Sequence, residues 1–134
     1  MQLNKSIDIA DACQQALNDS GTNACAQPLP HDLDASIPIT LVEALGGGER
    51  TARVLDRFPI RLTTWAKTPA DAVAEANLAM ARLMAYEGRR LGGVPCYRVT
   101  PTSTPYEPVD PYHPDIPRAV QTAHLWVRTI TIDE

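Results

Sequence analysis

The sequence has few cysteines and no long apolar run, and each shortage excludes a class of protein. No apolar run approaches the ~20 residues of a transmembrane helix, and residues 1–5 lack the apolar core of a signal peptide. We therefore expect a chain that is made in the cytoplasm and has no membrane partner. The 3 cysteines, Cys13, Cys25 and Cys96, form an odd set without paired spacing, which favours reduced thiols.

Motifs that carry chemistry are also missing. The glycine-rich stretch 46–51 (GGGERT) lacks the Gly-Lys-Ser/Thr ending of a phosphate-binding loop, and we predict a hairpin tip there. The histidines His31, His113 and His124 have no His or Cys at the spacing of metal ligands. We therefore predict no metal, no cofactor and no catalytic residue.

An enzymatic role is kept as an alternative, because spacing alone does not exclude a cysteine–histidine pair. Cys96 follows Pro95 in a predicted strand, where a small buried thiol is the ordinary explanation. His113 lies near Asp110 and Asp115, but the prolines that flank it indicate a turn. The prediction is a protein without enzymatic activity, and the alternative is a small cytoplasmic enzyme that uses Cys96 or His113.

Charge is distributed unevenly along the chain, whose net charge is −4. Residues 1–44 contain one base, Lys5, and six acids, whereas residues 50–98 contain nine bases and four acids. This division favours complementary surfaces on neighbouring subunits, and an ordinary solvated surface is the alternative. The chain is acidic, with a pI of about 5.3, and it has no nucleic-acid recognition motif, so we predict no specific binding of nucleic acid.

Hydrophobic periodicity and turn residues predict six elements in the order α-β-β-α-β-β. They are a helix over 6–18, a strand from Ile37, a strand over 57–66, a helix over 69–86, a strand over 94–100 and a strand over 119–132. Residues 21–36 are predicted as a loop. This order indicates a single α+β domain over residues 1–134, with two helices on a small, mostly antiparallel or mixed sheet of about four strands.

The unit 56–88 carries the clearest pattern. In its first part, the residues on one side of a period-two strand are Phe58, Ile60, Leu62 and Thr64. Thr68-Pro69-Ala70-Asp71 then supplies an N-cap hydroxyl, a proline at the first helical position and an acid at N3. The helix that follows is predicted to be buried through Ala72, Val73, Ala76, Met80, Leu83 and Met84.

Six prolines recur at intervals of three or four residues over 101–117. Because proline has no backbone N–H, this segment is not expected to extend a sheet ladder. We predict a long loop or arm between the last two strands. Loops of this length inside a compact domain are usually functional or disordered.

One side of the strand over 57–66 carries arginine and tryptophan. If both helices cover one face of the sheet, the other face displays Arg57, Arg61, Trp65, His124, Trp126 and Arg128. Tryptophan and arginine are enriched at protein interfaces. We predict contact residues at Arg57, Arg61, Trp65, Tyr106, Tyr112, Trp126 and Arg128. The alternative is a second, smaller core beneath the proline-rich loop.

In order and length, this pattern resembles the tail-terminator proteins of long-tailed phages and prophages, also called tail-completion or minor tail proteins. The resemblance begins with a short N-terminal helix, an acidic segment leading to IPITLV (37–42) and a glycine-rich turn. It continues with DRFPIRLTTWA (56–66), where the family has an aspartate-x-x-proline opening and a closing Trp-Ala, and with the helix after Thr68-Pro69. A Gly-Gly turn, a strand, a proline- and aspartate-rich loop and a last strand opening at Pro117-Arg118-Ala119 complete it.

The resemblance implies a structural virion protein at the head–tail junction, present in the host cytoplasm during assembly. It implies a homo-oligomeric ring, typically a hexamer, that docks on the tail-tube protein and ends tube polymerisation. The ring then presents the surface that joins the head through a head-closure or neck protein, and DNA passes through its channel without specific binding. A neck or head-closure adaptor of the same virion is the alternative.

Overall fold

The computed structural model describes residues 2–133, which form three helices and nine strands. The helices are α1 (Ile9–Asp19), α2 (Leu33–Ser36) and α3 (Pro69–Met84). The strands are β1 (Gln2–Lys5), β2 (Ala24–Cys25), β3 (Ile39–Ala44), β4 (Glu49–Thr51), β5 (Leu55–Trp65), β6 (Arg90–Leu91), β7 (Val94–Pro101), β8 (Arg118–Arg128) and β9 (Ile130–Asp133).

Seven strands form one mixed sheet in the order β2-β3-β5-β8-β7-β6, and β4 also pairs with β5. β2 and β3 run parallel, whereas β1 and β9 form a separate antiparallel ribbon. The prediction of an α+β fold is confirmed, but the predicted two helices, about four strands and order α-β-β-α-β-β are wrong. The additional elements are very short or largely exposed, so no hydrophobic periodicity marks them in the sequence.

The main core lies on the face of the sheet that α1 and α3 cover. β5 and β8 pair along their full lengths, with Phe58 opposite Leu125 and Ile60 opposite Ala123. These residues pack with Leu62 and with apolar residues of both helices in one cluster. The predicted core side of β5 is therefore confirmed for its aliphatic and aromatic members.

α1 begins three residues later than predicted. Asp8 is its N-cap, because the Asp8 carboxylate accepts a hydrogen bond from the Asp11 backbone N–H at 3.1 Å. The predicted loop over 21–36 is also corrected, since it contains β2 and the four-residue α2. Asp32 caps α2 in the same way, with Ala35 as the donor.

α3 begins where its capping sequence predicts. Thr68 Oγ1 accepts a hydrogen bond from the Asp71 backbone N–H at 3.1 Å, and Pro69 is the first helical residue. The residues that bury its inner face are Ala72, Ala76, Ala79, Met80 and Leu83. The prediction that Met84 is buried is wrong, because the last helical residue has turned toward solvent.

The glycine-rich stretch is not the hairpin tip that its sequence suggests. β3 and β4 both pair with β5, so residues 45–48 bulge out between them. A Cβ at Gly48 would clash with the Arg57 carbonyl oxygen, so only glycine fits at this position. The tight turn lies instead at Ala52 and Arg53, whose φ angles are 52° and 64°. The Val54 backbone N–H donates to the Thr51 carbonyl oxygen at 3.3 Å and closes a turn over these two residues, and one class of such turns has positive φ at both of them.

Candidate functional site

The face of the sheet opposite α1 and α3, hereafter the second face, has a covered end and an open end. At the covered end Trp65 is 2% exposed and packs with Leu33 and Ile39. Ile116, from the arm formed by residues 101–117, packs against the same cluster. The alternative of a second core beneath the proline-rich loop is therefore confirmed at this end. The prediction that Trp65 lies on an uncovered face is wrong, because the arm folds back over it.

Asp110 anchors the arm to the sheet. Its Oδ2 accepts a hydrogen bond from Trp65 Nε1 at 3.1 Å and lies 3.1 Å from His113 Nδ1, and its Oδ1 accepts from the Tyr112 backbone N–H at 2.9 Å. Burial raises the pKa of Asp110, but these donors and the nearby Arg118 together lower the pKa by more than burial raises it. The pKa therefore lies below its usual value, so a charged carboxylate holds the arm in place.

The base of the arm follows the edge of β8. The backbone groups of Tyr106 and Val120 exchange hydrogen bonds of 3.0 and 2.8 Å. Arg118 Nε donates to the Pro108 carbonyl oxygen at 3.2 Å. The arm thus forms one isolated bridge to β8 and does not extend the sheet ladder, as predicted; the bridge is possible because Tyr106, between two prolines, keeps its N–H group.

On either side of the anchoring Asp110 the arm presents exposed side chains. Tyr112 is 88% exposed and Val109 is 75% exposed, while Tyr106 at the base is 53% exposed. We call Val109 and Tyr112 the arm tip. Tyrosine is enriched at protein interfaces, so Tyr112 on this anchored segment is a candidate contact residue.

Arg61, another predicted contact residue, is engaged within the chain. Its Nε and Nη2 donate to Oε1 and Oε2 of Glu43 at 3.1 and 3.2 Å across the β3–β5 pair. These hydrogen bonds to Glu43 raise the pKa of Arg61, and the bidentate geometry fixes the guanidinium plane. Arg61 lines a groove of about 390 Å³ beneath the arm, which Tyr106 and Tyr112 also line.

The open end of the second face carries a basic and aromatic cluster, hereafter the open-face cluster, made of Arg57, Arg98, His124 and Trp126. Arg98 Cζ lies 5.6 Å from the centre of the Trp126 ring. His124 meets the same ring edge-on, with centres 6.0 Å apart. Arg57 Nη1 lies 3.5 Å from His124 Nδ1. The cluster thus combines a held tryptophan with two cations, a composition typical of interface centres.

Arg57 is incompletely satisfied by the residues that the structure describes. Its Nε is buried without a hydrogen-bond partner among residues 2–133. Its Nη2 lies 3.4 Å from the Gly47 carbonyl oxygen and 3.4 Å from the exposed carboxylate of Glu49. Arg98 in the same cluster is exposed, and because guanidinium groups only donate hydrogen bonds, it favours a partner that supplies carboxylates or carbonyl oxygens. Arg128, at the end of β8, adds a further exposed cation nearby.

Arg98 is the member of the cluster that the sequence pattern did not reveal. Strict alternation from the buried Cys96 places Arg98 on the core side of β7. The register between β7 and β8 shifts between these two residues, so Arg98 lies opposite Trp126 on the second face. A bulge of this kind reverses the side of the strand on which the following residues lie, and no turn residue in the sequence indicates its position.

Cys96 and His113, the two residues named for the enzymatic alternative, are buried in the core and engaged within the arm, respectively. Cys96 is buried, and burial raises the pKa of its thiol, whereas the thiolate is the reactive form. His113 contacts Asp110 within the arm. The described residues include no group of three His, Cys, Asp or Glu side chains placed to hold a metal ion.

Comparison with known protein families gives no match, and no curated protein matches the sequence at a significant level. Across residues 2–133, none of the helices is both long and apolar enough to cross a membrane. The open-face cluster and the arm are therefore the features on which a functional proposal depends.

Proposed function

We propose that this chain is a structural virion protein, a tail terminator that assembles as a ring, of the hexameric kind the resemblance implies, on the end of a phage tail tube. The observation that carries the proposal is the open-face cluster, which gathers Arg57, Arg98 and Trp126 at the open end of the face opposite α1 and α3. The resemblance of the segment over 56–66 to terminator proteins supports the same function. In this function the ring also binds a neck or head-closure protein, and DNA passes through it without specific binding.

The cluster suits the capping of a polymer end. Arg98 and His124 already hold the Trp126 ring, so little side-chain freedom is lost when the ring is buried against a partner. The arginines donate hydrogen bonds to carboxylates or main-chain carbonyls of the last tube subunits. Once these contacts are made, the end surface of the tube is occupied, so the next ring of tube protein cannot bind there and polymerisation stops.

Lysate complementation tests this function. Purified protein is added to a lysate of the cognate phage that lacks only its terminator, and infectious particles are counted. We expect the wild-type chain to restore them. We expect Arg98→Glu and Trp126→Ala each to reduce the yield by about tenfold or more, because interface centres concentrate binding energy in such residues.

Lys67→Glu is the matched control, since Lys67 is exposed at the opposite end of β5 and the charge change is the same. We expect this variant to complement like the wild type. Restoration only of a lysate that lacks its head-closure protein would assign the chain to the neck instead. Equal activity of wild type and the two cluster variants would contradict the role of the cluster.

A further inference from the structure

The arm tip carries two exposed apolar side chains beside carboxylates of the same segment, and Arg118 lines the pocket that Val109 shares with Glu107 and Asp115. Residues 101–117 contain Glu107, Asp110 and Asp115 and have no lysine or arginine. Glu107 and Asp115 are exposed, whereas Asp110 is used to anchor the arm. The tip therefore offers Val109 and Tyr112 together with two free carboxylates.

A groove whose charged residues have the opposite sign lies at the far end of β8. Its volume is about 600 Å³, and its lining includes Val94, Tyr97 and Ile130 beside the glycine turn between β6 and β7. Among residues 2–133, the charged residues of the lining are Arg90 and Arg128, and none of the lining residues carries a carboxylate. The groove therefore matches the arm tip both in apolar surface and in sign of charge.

The distance between the two features prevents the arm from filling the groove of its own chain. The arm joins β8 at Arg118 and is anchored beside it through Trp65, which pairs with Arg118. The groove begins at Arg128, ten residues further along the strand, roughly 33 Å at the rise of a β-strand. The arm tip thus has a complementary site that it can reach on a second copy.

We propose that the arm tip of one subunit docks in the Arg90/Arg128 groove of the next. Because the two surfaces lie at opposite ends of β8, the contact is head-to-tail, and repetition closes a ring or extends a filament. This contact rests on the proposed terminator function, in which it joins the ring subunits. The anchor at Asp110 holds the arm ready for docking, which limits the entropy lost on binding.

Sedimentation velocity over a range of concentrations tests the contact without any tail tube. We expect the wild-type chain to form species larger than a dimer as concentration rises. Replacing both tip residues, Val109→Ser with Tyr112→Ser, should weaken association by about tenfold or more. Because both side chains are exposed, the thermal midpoint should stay at the wild-type value, which shows that the loss is not unfolding.

A pair of charge-reversed chains gives a sharper test. One chain carries Arg90→Glu and Arg128→Glu, and the other carries Glu107→Arg and Asp115→Arg. Each chain alone opposes like charges at every contact, so each should stay monomeric. In an equal mixture every arm meets a groove of opposite charge, and assembly should return.

Three results would overturn the contact: a wild-type chain that stays monomeric or dimeric at the highest soluble concentration, tip variants that assemble like the wild type, or a mixture that fails to assemble. Failure of the terminator function appears separately, as wild-type assembly in solution without complementation of the terminator-deficient lysate.

Discussion

Trp65→Ala lowers the free energy of unfolding by about 3–5 kcal/mol, the range for removing a buried aromatic side chain. Trp65 is the largest residue of the second core, where it packs with Leu33, Ile39 and Leu41. It also donates the hydrogen bond that holds Asp110. The substitution therefore empties the second core and leaves a buried carboxylate without one of its donors. Urea denaturation measures the loss.

The same variant should release the arm. We expect backbone amides of residues 101–117 to lose protection from hydrogen exchange in Trp65→Ala under conditions where β5 stays protected. Trp126→Ala is the matched control, because it removes the chain's other tryptophan from the open end of the same face. A smaller stability loss and an unchanged arm are expected there. Equal losses in the two variants, or an arm that stays protected in Trp65→Ala, would contradict the anchor.

Acid destabilises the fold through two buried aspartates. Asp56 accepts hydrogen bonds from Arg50 Nε at 2.7 Å and from Ser6 Oγ at 2.8 Å. Burial raises the pKa of Asp56, but the hydrogen bonds from Arg50 and Ser6 and the charge of Arg50 together lower it by more, so the pKa lies below its usual value. The pKa of Asp110 is lowered in the same way. A carboxylate whose pKa is lower in the folded state than in the unfolded state stabilises the fold at pH values above its unfolded pKa. This stabilisation is lost as the pH falls through the folded-state pKa. We therefore expect the urea midpoint to fall steadily below about pH 4.

The substitution Asp110→Asn measures how much of this acid-induced loss of stability comes from the arm anchor. At pH 7 we expect the variant to lose about 1–3 kcal/mol, since the amide replaces an acceptor of several hydrogen bonds. Its further loss on acidification should be smaller than that of the wild type. Asp115→Asn, an exposed carboxylate of the same arm, is the control and should follow the wild-type profile. A profile of Asp110→Asn parallel to the wild type would contradict the assignment.

The strand–helix unit is the part of the fold that the sequence predicts best. Its strand alternates strictly between Phe58 and Leu62, and its helix opens with a cap formed by Thr68 and Asp71, so local signals and tertiary packing agree. The β1–β9 ribbon could not be predicted, because its pairing joins the two ends of the described chain and its residues are largely exposed. Pairing of this kind is set by tertiary contacts that no local pattern records.

The candidate site was predicted in part for a similar reason. Alternation placed Arg57 and Trp126 on one face, and they are direct neighbours across β5 and β8. Alternation could not show that the arm returns over Trp65, since that depends on a hydrogen bond to Asp110, which lies 45 residues away in sequence. Nor could it reveal Arg98, because the bulge in β7 reverses the side on which it lies.

Electron microscopy of tail tubes polymerised with this protein tests the central claim most directly. Cognate tube protein is assembled with and without the purified chain, and tube lengths and tube ends are measured. The proposed function predicts a ring of added density at one end of each tube, and tubes that stop growing when the chain is added. Tubes that lengthen at the same rate, with no added density at either end, would contradict it.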